Sequence, residues 1–147
     1  MTTSGTDTLT VEEARKLVAP LYDGLNRPAE KDTHALLAEA AADDYRSYFT
    51  NESWVGREEL ADIMTSMGAI VPNLSWGIED IFVHGDRIVV RGRAQGTPVA
   101  TFNGVEPTGK SFDTMAIDIF TVRDGKLANC YHIENWAAAV QQLQGES

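Results

Sequence analysis

The sequence has few of the residues that build disulfide or metal sites. It contains one cysteine, Cys130, and three histidines among 147 residues. A single cysteine cannot form an intramolecular disulfide or supply the several thiolates of a structural zinc site. The histidines, at positions 34, 84 and 132, are scattered along the chain. The sequence therefore predicts a reduced protein without a metal site.

Positive charge and long apolar runs are also scarce. The chain has 12 lysine and arginine residues against 22 aspartate and glutamate residues, a formal net charge of −10. Such a chain repels phosphate backbones and anionic membrane surfaces. It has no apolar run long enough to span a bilayer, and its first residues lack the basic and apolar segments of a secretory signal. We therefore expect no nucleic-acid partner, no membrane partner and a cytoplasmic location.

What the sequence does contain is enough apolar material for one core. Apolar residues make up 43% and charged residues 23%, which is typical of a globular domain. A length of 147 residues also fits a single domain. We expect a flexible tail over residues 1–8 and one domain over residues 9–147.

Helical patterns occupy the first half of the chain. Thr10 and Glu13 match a capping box ahead of an apolar stripe that reaches Leu25 and is interrupted by Pro20. Further helices are predicted over residues 32–42 and 56–67, and a short closing helix over residues 136–143.

Strand patterns follow in the second half. Alternation predicts strands over residues 76–82, 88–95, 112–122 and 127–135, with a hairpin turn at Asp124 and Gly125. Helices followed by hairpin-linked strands indicate an α+β fold, in which a curved antiparallel sheet wraps the N-terminal helices as a cone. Such a cone leaves an apolar pocket between sheet and helices.

His132 and Glu134 are the strongest candidates for chemistry. They lie two residues apart on the last predicted strand, so their side chains project from one face. A carboxylate in an apolar pocket suits abstraction of a proton next to a carbonyl, and a neighbouring imidazole can hold the substrate oxygen or tune the acid. The alternative is a solvent-facing surface pair.

Asp118 is a second candidate whose direction depends on hairpin register. A two-residue turn at Asp124 and Gly125 places Asp118 opposite Tyr131, on the other face from His132. A three-residue loop with a bulge at Gly125 shifts the pairing by one residue and brings Asp118 to the face of His132. Both registers remain open from the sequence.

Several segments together carry a resemblance to a known family. These segments lie at residues 56–59, 71–74, 84–90, 105–110, 118–127 and 141–143. With them, from about Leu17 to Leu143, the chain resembles the SnoaL-like polyketide cyclases of the nuclear-transport-factor-2-like superfamily. This ordered set is specific to the fold and much less specific to one reaction.

The resemblance implies a homodimer of cones, each with a deep apolar pocket. Characterised cyclases close a ring by intramolecular aldol condensation without metal or cofactor, using a carboxylate of the last strand. Here that carboxylate corresponds either to Glu134, which keeps the acid, or to Asn135, which has lost it. Other members isomerise, dehydrate, hydrolyse epoxides, assist hydroxylation or only bind a ligand.

Three further residues are candidates for substrate binding. Tyr48 lies where many relatives carry a pocket histidine, so its hydroxyl could orient a substrate oxygen; a core aromatic is the alternative. Trp54 precedes the helix at Gly56 and is a candidate for the pocket mouth, with a core or interface role as the alternative. Asn135 would contact substrate beside the acid.

The sequence thus predicts a cofactor-independent enzyme for a small apolar carbonyl compound. Glu134 would be the general base, His132 its partner, and Asp118 or Tyr48 would orient the substrate. The expected reaction is aldol cyclisation or double-bond isomerisation. A ligand-binding module of the same fold, or a dimerisation domain with a filled cone, are the alternatives.

Overall fold

A computed structural model describes residues 9–145 of the chain. The helices are α1 Val11–Asp23, α2 Thr33–Ala40, α3 Arg57–Ile70 and α4 Trp136–Leu143, with a single 3₁₀ turn at Pro28–Glu30. The strands are β1 Ala41–Tyr48, β2 Trp54–Gly56, β3 Ser75–His84, β4 Arg87–Gly96, β5 Phe112–Arg123 and β6 Lys126–Glu134. The predicted tail at residues 1–8 lies outside the described residues.

Side-chain caps fix where three of the helices begin. The Thr10 hydroxyl accepts from the Glu13 amide and the Glu13 carboxylate accepts from the Thr10 amide, as the capping box predicts. Asp32 caps α2 at the Ala35 amide. The Asn135 side chain accepts from the Ala138 amide, which starts α4 directly after β6.

The six strands form one curved sheet in the order β2-β1-β6-β5-β4-β3. Neighbouring strands pair antiparallel, except that β1 runs parallel to β6. The fold is therefore the predicted single-domain α+β architecture, with a mixed rather than wholly antiparallel sheet. The sequence did not predict β1, and residues 41 and 42, assigned there to the second helix, belong to this strand.

One face of the sheet packs on the helices and forms the core. Alternate residues of β4, from Ile88 to Gly96, are buried on this inner face, as are Phe112, Ala116 and Phe120 of β5. Val18 of α1 and Leu37 of α2 are fully buried against them. None of the helices within residues 9–145 is long and apolar enough to cross a membrane.

Candidate active site

A bulge in β6 sets which face its polar residues occupy. Arg123 pairs with Lys126 around the two-residue turn, but the register then shifts, so that Thr121 pairs with Asn129 and Asp118 with His132. Leu127 pairs with Val122, Ala128 has no partner in the ladder, and both residues are buried. The shift comes from an extra residue in the strand, not from a longer loop. It brings Asp118 to the face of His132.

Asp118, His132 and Glu134 form a continuous chain of side chains on the inner face. His132 Nδ1 contacts Asp118 Oδ1, and His132 Nε2 lies 2.6 Å from Glu134 Oε2. Asp118 is 2% exposed, whereas the Glu134 side chain is 17% exposed. The aspartate is thus the buried end of the chain and the glutamate is its accessible end.

Three further donors hold the two carboxylates. The Tyr22 hydroxyl, from α1, donates to Asp118 Oδ2 over 2.5 Å, and the Cys130 thiol lies 3.5 Å from Oδ1. Trp136 Nε1, at the start of α4, donates to Glu134 Oε1. Sequence reasoning assigned no site role to Tyr22 or Cys130. Alternation along β6 could have found Cys130, since it shares a face with His132; nothing local links Tyr22 to Asp118.

The charge state of His132 follows from its surroundings. Burial acts to lower its pKa, but the Asp118 charge and hydrogen bonds to Asp118 and Glu134 outweigh burial and raise the pKa to about 10. The ring is therefore an imidazolium at neutral pH, donating to a carboxylate from each nitrogen. Burial, and then the Asp118 charge, raise the pKa of the Tyr22 phenol and of the Cys130 thiol, so both stay protonated.

Aromatic rings fix the position of the imidazolium. The His132 ring centroid lies 5.7 Å from that of Phe49 and 5.9 Å from that of Trp76. Trp76 in turn packs edge-on against Trp136, with centroids 6.1 Å apart. The Phe49 contact is T-shaped and the Trp76 contact is tilted, so the two rings restrict how the His132 ring can turn.

This constellation lies in the wall of an apolar cavity of about 90 Å³. Leu60, Met64 and Met67 of α3 form the opposite wall, and the half-exposed Phe49 and Ile63 lie at its rim. Its remaining lining residues are Leu21, Leu25, Tyr45, Ser47, Trp76, Phe120, Cys130 and Trp136. A volume of this size limits what can lie next to Glu134 to a small molecule or to one end of a larger one.

The three residues expected to bind substrate do not line this cavity. Tyr48 is on the outer side of β1, where its ring packs 5.1 Å from that of Tyr131. Trp54 is exposed on β2, with the Arg46 guanidinium over its ring at 4.3 Å. Asn135 is used as the cap of α4. Alternation in β1 instead turns Tyr45 and Ser47 inward.

Within residues 9–145, no group of three or more histidine, cysteine, aspartate or glutamate side chains has an arrangement that could hold a metal ion. The acid–base groups that line the cavity are Asp118, His132 and Glu134, with the Cys130 thiol and the Tyr45 and Ser47 hydroxyls beside them.

The curved sheet closes over the helices, and the cavity between them contains the carboxylate–imidazolium–carboxylate series. These features define a cone-shaped α+β protein with an internal acid–base site. The chain belongs to the SnoaL-like polyketide cyclase family, whose model matches residues 17–143. Glu134 is the last residue of β6, and Asn135 caps the helix that follows it. No curated protein sequence matches the chain.

Solved structures share the fold over nearly the whole chain. TsrD from Streptomyces laurentii is 24% identical, with a TM-score of 0.79 over 92% of this chain and 97% of that one. IdmH from Streptomyces antibioticus is 25% identical, with a TM-score of 0.77 over 88% and 96%. An LEH-like epoxide hydrolase from M. tuberculosis is 15% identical, with a TM-score of 0.66 over 92% of each chain. Sequence identities of 15–25% at these TM-scores show that the chains share a fold.

Proposed function

We propose that the protein is an enzyme that moves a proton next to a carbonyl group without a cofactor, in an aldol cyclisation or a double-bond isomerisation. The observation that carries this proposal is the chain of Asp118, His132 and Glu134 in the wall of an apolar cavity. The family name, SnoaL-like polyketide cyclase, favours cyclisation of a carbonyl-rich substrate.

Glu134 is the base in this proposal because it has accessible lone pairs. A carboxylate offers about four lone-pair positions. Asp118 accepts from Tyr22, His132 and Cys130 and is almost fully buried. Glu134 accepts from His132 and Trp136 and retains partial exposure to the cavity.

The protein's own side chains take up and return every proton that this reaction moves. Glu134 removes a proton from the carbon beside a carbonyl, and the bonding electrons move into that carbonyl as an enolate. In a cyclisation the enolate carbon attacks a second carbonyl of the same molecule, a carbon–carbon bond forms, and the new alkoxide takes the proton back from Glu134. In an isomerisation the proton returns to a different carbon. Neither route needs an oxidant or reductant.

His132 is a positioning residue in this mechanism. Both of its N–H groups are directed to carboxylates, so it holds the Glu134 carboxylate in place and its positive charge offsets the two negative charges. The surrounding apolar walls strengthen electrostatic effects on a developing enolate, because they exclude water.

The proposal is tested by proton exchange. The wild-type protein should speed incorporation of deuterium beside the carbonyl of small cyclic ketones in D₂O, followed by proton NMR. Glu134→Gln should lower the catalysed rate about 100-fold or more, since general-base catalysis commonly contributes factors of that size. Glu79→Gln, the same change at an exposed position of β3, should leave the rate unchanged.

Two results would contradict the proposal. Exchange that persists in Glu134→Gln would remove Glu134 from the reaction. Wild-type protein that binds the ketones but never accelerates exchange would favour a ligand-binding module with the same fold.

A further inference from the structure

The room at the inner end of the cavity depends on the side chain of Met64. The half-exposed Phe49 and Ile63 lie at the rim, whereas Met64, on α3, is 3% exposed and lines the buried end. A methionine side chain has three rotatable bonds and fills irregular space. The position of the Met64 methyl group therefore affects how far a ligand can enter.

Gly24 lies directly behind the Met64 methyl group. A Cβ added at Gly24 would lie 2.8 Å from Met64 Cε, whereas carbon atoms in contact are about 3.5–4.0 Å apart. The next neighbours of that Cβ would be the Leu21 carbonyl oxygen at 3.4 Å and Leu36 Cδ1 at 3.5 Å. Gly24 is buried and is not among the residues that line the cavity. The methyl group thus uses space that glycine leaves open outside the cavity.

The backbone at Gly24 does not itself require glycine. It has a right-handed helical conformation, with φ −68° and ψ −15°, at the end of α1. Other L-residues adopt this conformation without strain. A side chain at position 24 is therefore restricted by the Met64 methyl group and not by the backbone angles.

Hydrogen bonds hold the chain around Gly24 in place. The Gly24 amide donates to the Pro20 carbonyl oxygen over 3.1 Å. The side chain of Asn26 donates to the Trp76 carbonyl oxygen over 3.0 Å and accepts from the Trp76 amide over 2.9 Å. These contacts tie the end of α1 to β3. A side chain added at position 24 would therefore displace the flexible Met64 chain and not the backbone.

The cavity offers the displaced methyl group a place to go. Met64 lines this free volume of about 90 Å³, while protein interiors are otherwise close-packed. A movement of about 1 Å restores ordinary contact distance between the methyl group and an added Cβ. The methyl group would then take room from a ligand at the inner end of the cavity.

We propose that Gly24 is a positioning residue that sets the size of ligand the cavity accepts, by leaving room for the Met64 methyl group outside the cavity. A larger residue at position 24 closes the inner end in part. The proposed function enters only through the choice of ketones as ligands, because the claim itself concerns space. It predicts a ligand whose apolar end lies beside Met64.

A series of cyclic ketones from cyclobutanone to cycloheptanone measures the size limit. Binding is followed by fluorescence, since Trp76 and Trp136 line the cavity. Wild-type protein should bind the rings up to a limiting size. Gly24→Ala should bind the largest of these about tenfold more weakly and the smallest as tightly as wild type does, because one methylene in an apolar pocket changes affinity by about 10–200-fold.

Two further variants separate the Met64 methyl group from a general loss of stability. Leucine has no atom at the ε position, so Gly24→Ala should not alter the size limit when it is combined with Met64→Leu. Gly56→Ala, just before the same helix, adds a Cβ with no other atom within 4 Å and should keep the wild-type limit.

Three results would overturn the inference. One is an equal loss of affinity for every ring in Gly24→Ala, which would mean a merely structural role. Another is an unchanged size limit in that variant. The third is a wild-type protein that binds none of the rings or binds all of them equally.

The deuterium-exchange experiment distinguishes this inference from the proposed function. A size limit that depends on Gly24, in a protein that never accelerates exchange, would support the inference and contradict the enzyme. Exchange that depends on Glu134, together with an unchanged limit in Gly24→Ala, would support the enzyme and contradict the inference.

Discussion

At the scale of single residues, the charge on His132 governs the site. A histidine whose pKa is raised in the folded state stabilises that state while it is protonated in the fold. With a pKa of about 10 against an ordinary 6.5, this contribution is complete below pH 6.5 and is lost as the pH rises toward 10. The site is therefore expected to hold together best at neutral and mildly acidic pH.

The sequence predicts one part of this arrangement and not the other. Alternation alone puts His132 and Glu134 on one face, because side chains two apart on a strand project together. Asp118 joins them only through the register shift beside Ala128, an apolar residue that carries no sign of a bulge. The contact of Tyr22 with Asp118 spans 96 residues, so it depends on how α1 docks on the sheet.

At the scale of secondary-structure elements, local signals predicted most boundaries. The closing helix has the predicted bounds, and the capping box and the hairpin turn lie where the sequence places them. Strand β1 was missed because its sequence, AADDYRSY, is rich in polar residues and its partner β6 is about 80 residues away. The resemblance, which puts a pocket histidine of many relatives at Tyr48, favours the cavity for this residue, whereas alternation along β1 turns its side chain to the outer face.

The packing of the Trp76 side chain against Gly92 gives a prediction for strands β3 and β4. An added Cβ at Gly92 would lie 3.0 Å from Trp76 Nε1 and 3.3 Å from the Gly77 carbonyl oxygen. Gly92→Ala should therefore push the indole toward His132 and lower the free energy of unfolding by about 1–3 kcal/mol, as overpacking does.

Urea unfolding followed by tryptophan fluorescence measures this loss. Gly77→Ala is the matched control, since at that exposed position the nearest atom to an added Cβ is the Glu79 carboxylate at 3.9 Å. It should leave stability unchanged or slightly raised. If the two variants were equally stable, the methyl group added at Gly92 would not disturb the packing of Trp76, and this prediction would be wrong.

At the scale of the whole molecule, the outer face of the sheet carries an exposed apolar band. Register places Phe82, Val89, Ile119, Tyr131 and Tyr48 in one row across five strands. Phe82 is 60% exposed and Tyr131 is 47% exposed. Large exposed apolar patches on soluble proteins are typical of interaction sites.

We propose that a second copy of the chain covers this band. The chain's net charge of −10 opposes self-association, but the charges beside the band are balanced in the ion pairs Arg91–Asp80 and Arg93–Asp113. A two-fold axis would place the row of one copy on the row of the other, as self-complementary dimer surfaces require.

Sedimentation equilibrium tests the dimer. Wild-type protein should have twice the chain mass of 16.1 kDa, and a charge at the band, Tyr131→Glu, should return it to the single-chain mass. Val99→Glu, at a residue 61% exposed outside the strands, should not alter the mass. A single-chain mass for the wild type at every concentration would reject this surface as a self-association site.

The central claim is that His132 is an imidazolium held between two carboxylates, because a neutral ring would compete with Glu134 for the abstracted proton. Nitrogen-15 NMR of the histidine rings between pH 5 and about 11 measures this directly. The account predicts that both His132 nitrogens stay protonated through neutral pH, with a midpoint near 10 that falls in Asp118→Asn. A wild-type midpoint near the ordinary histidine value of about 6.5 would contradict it.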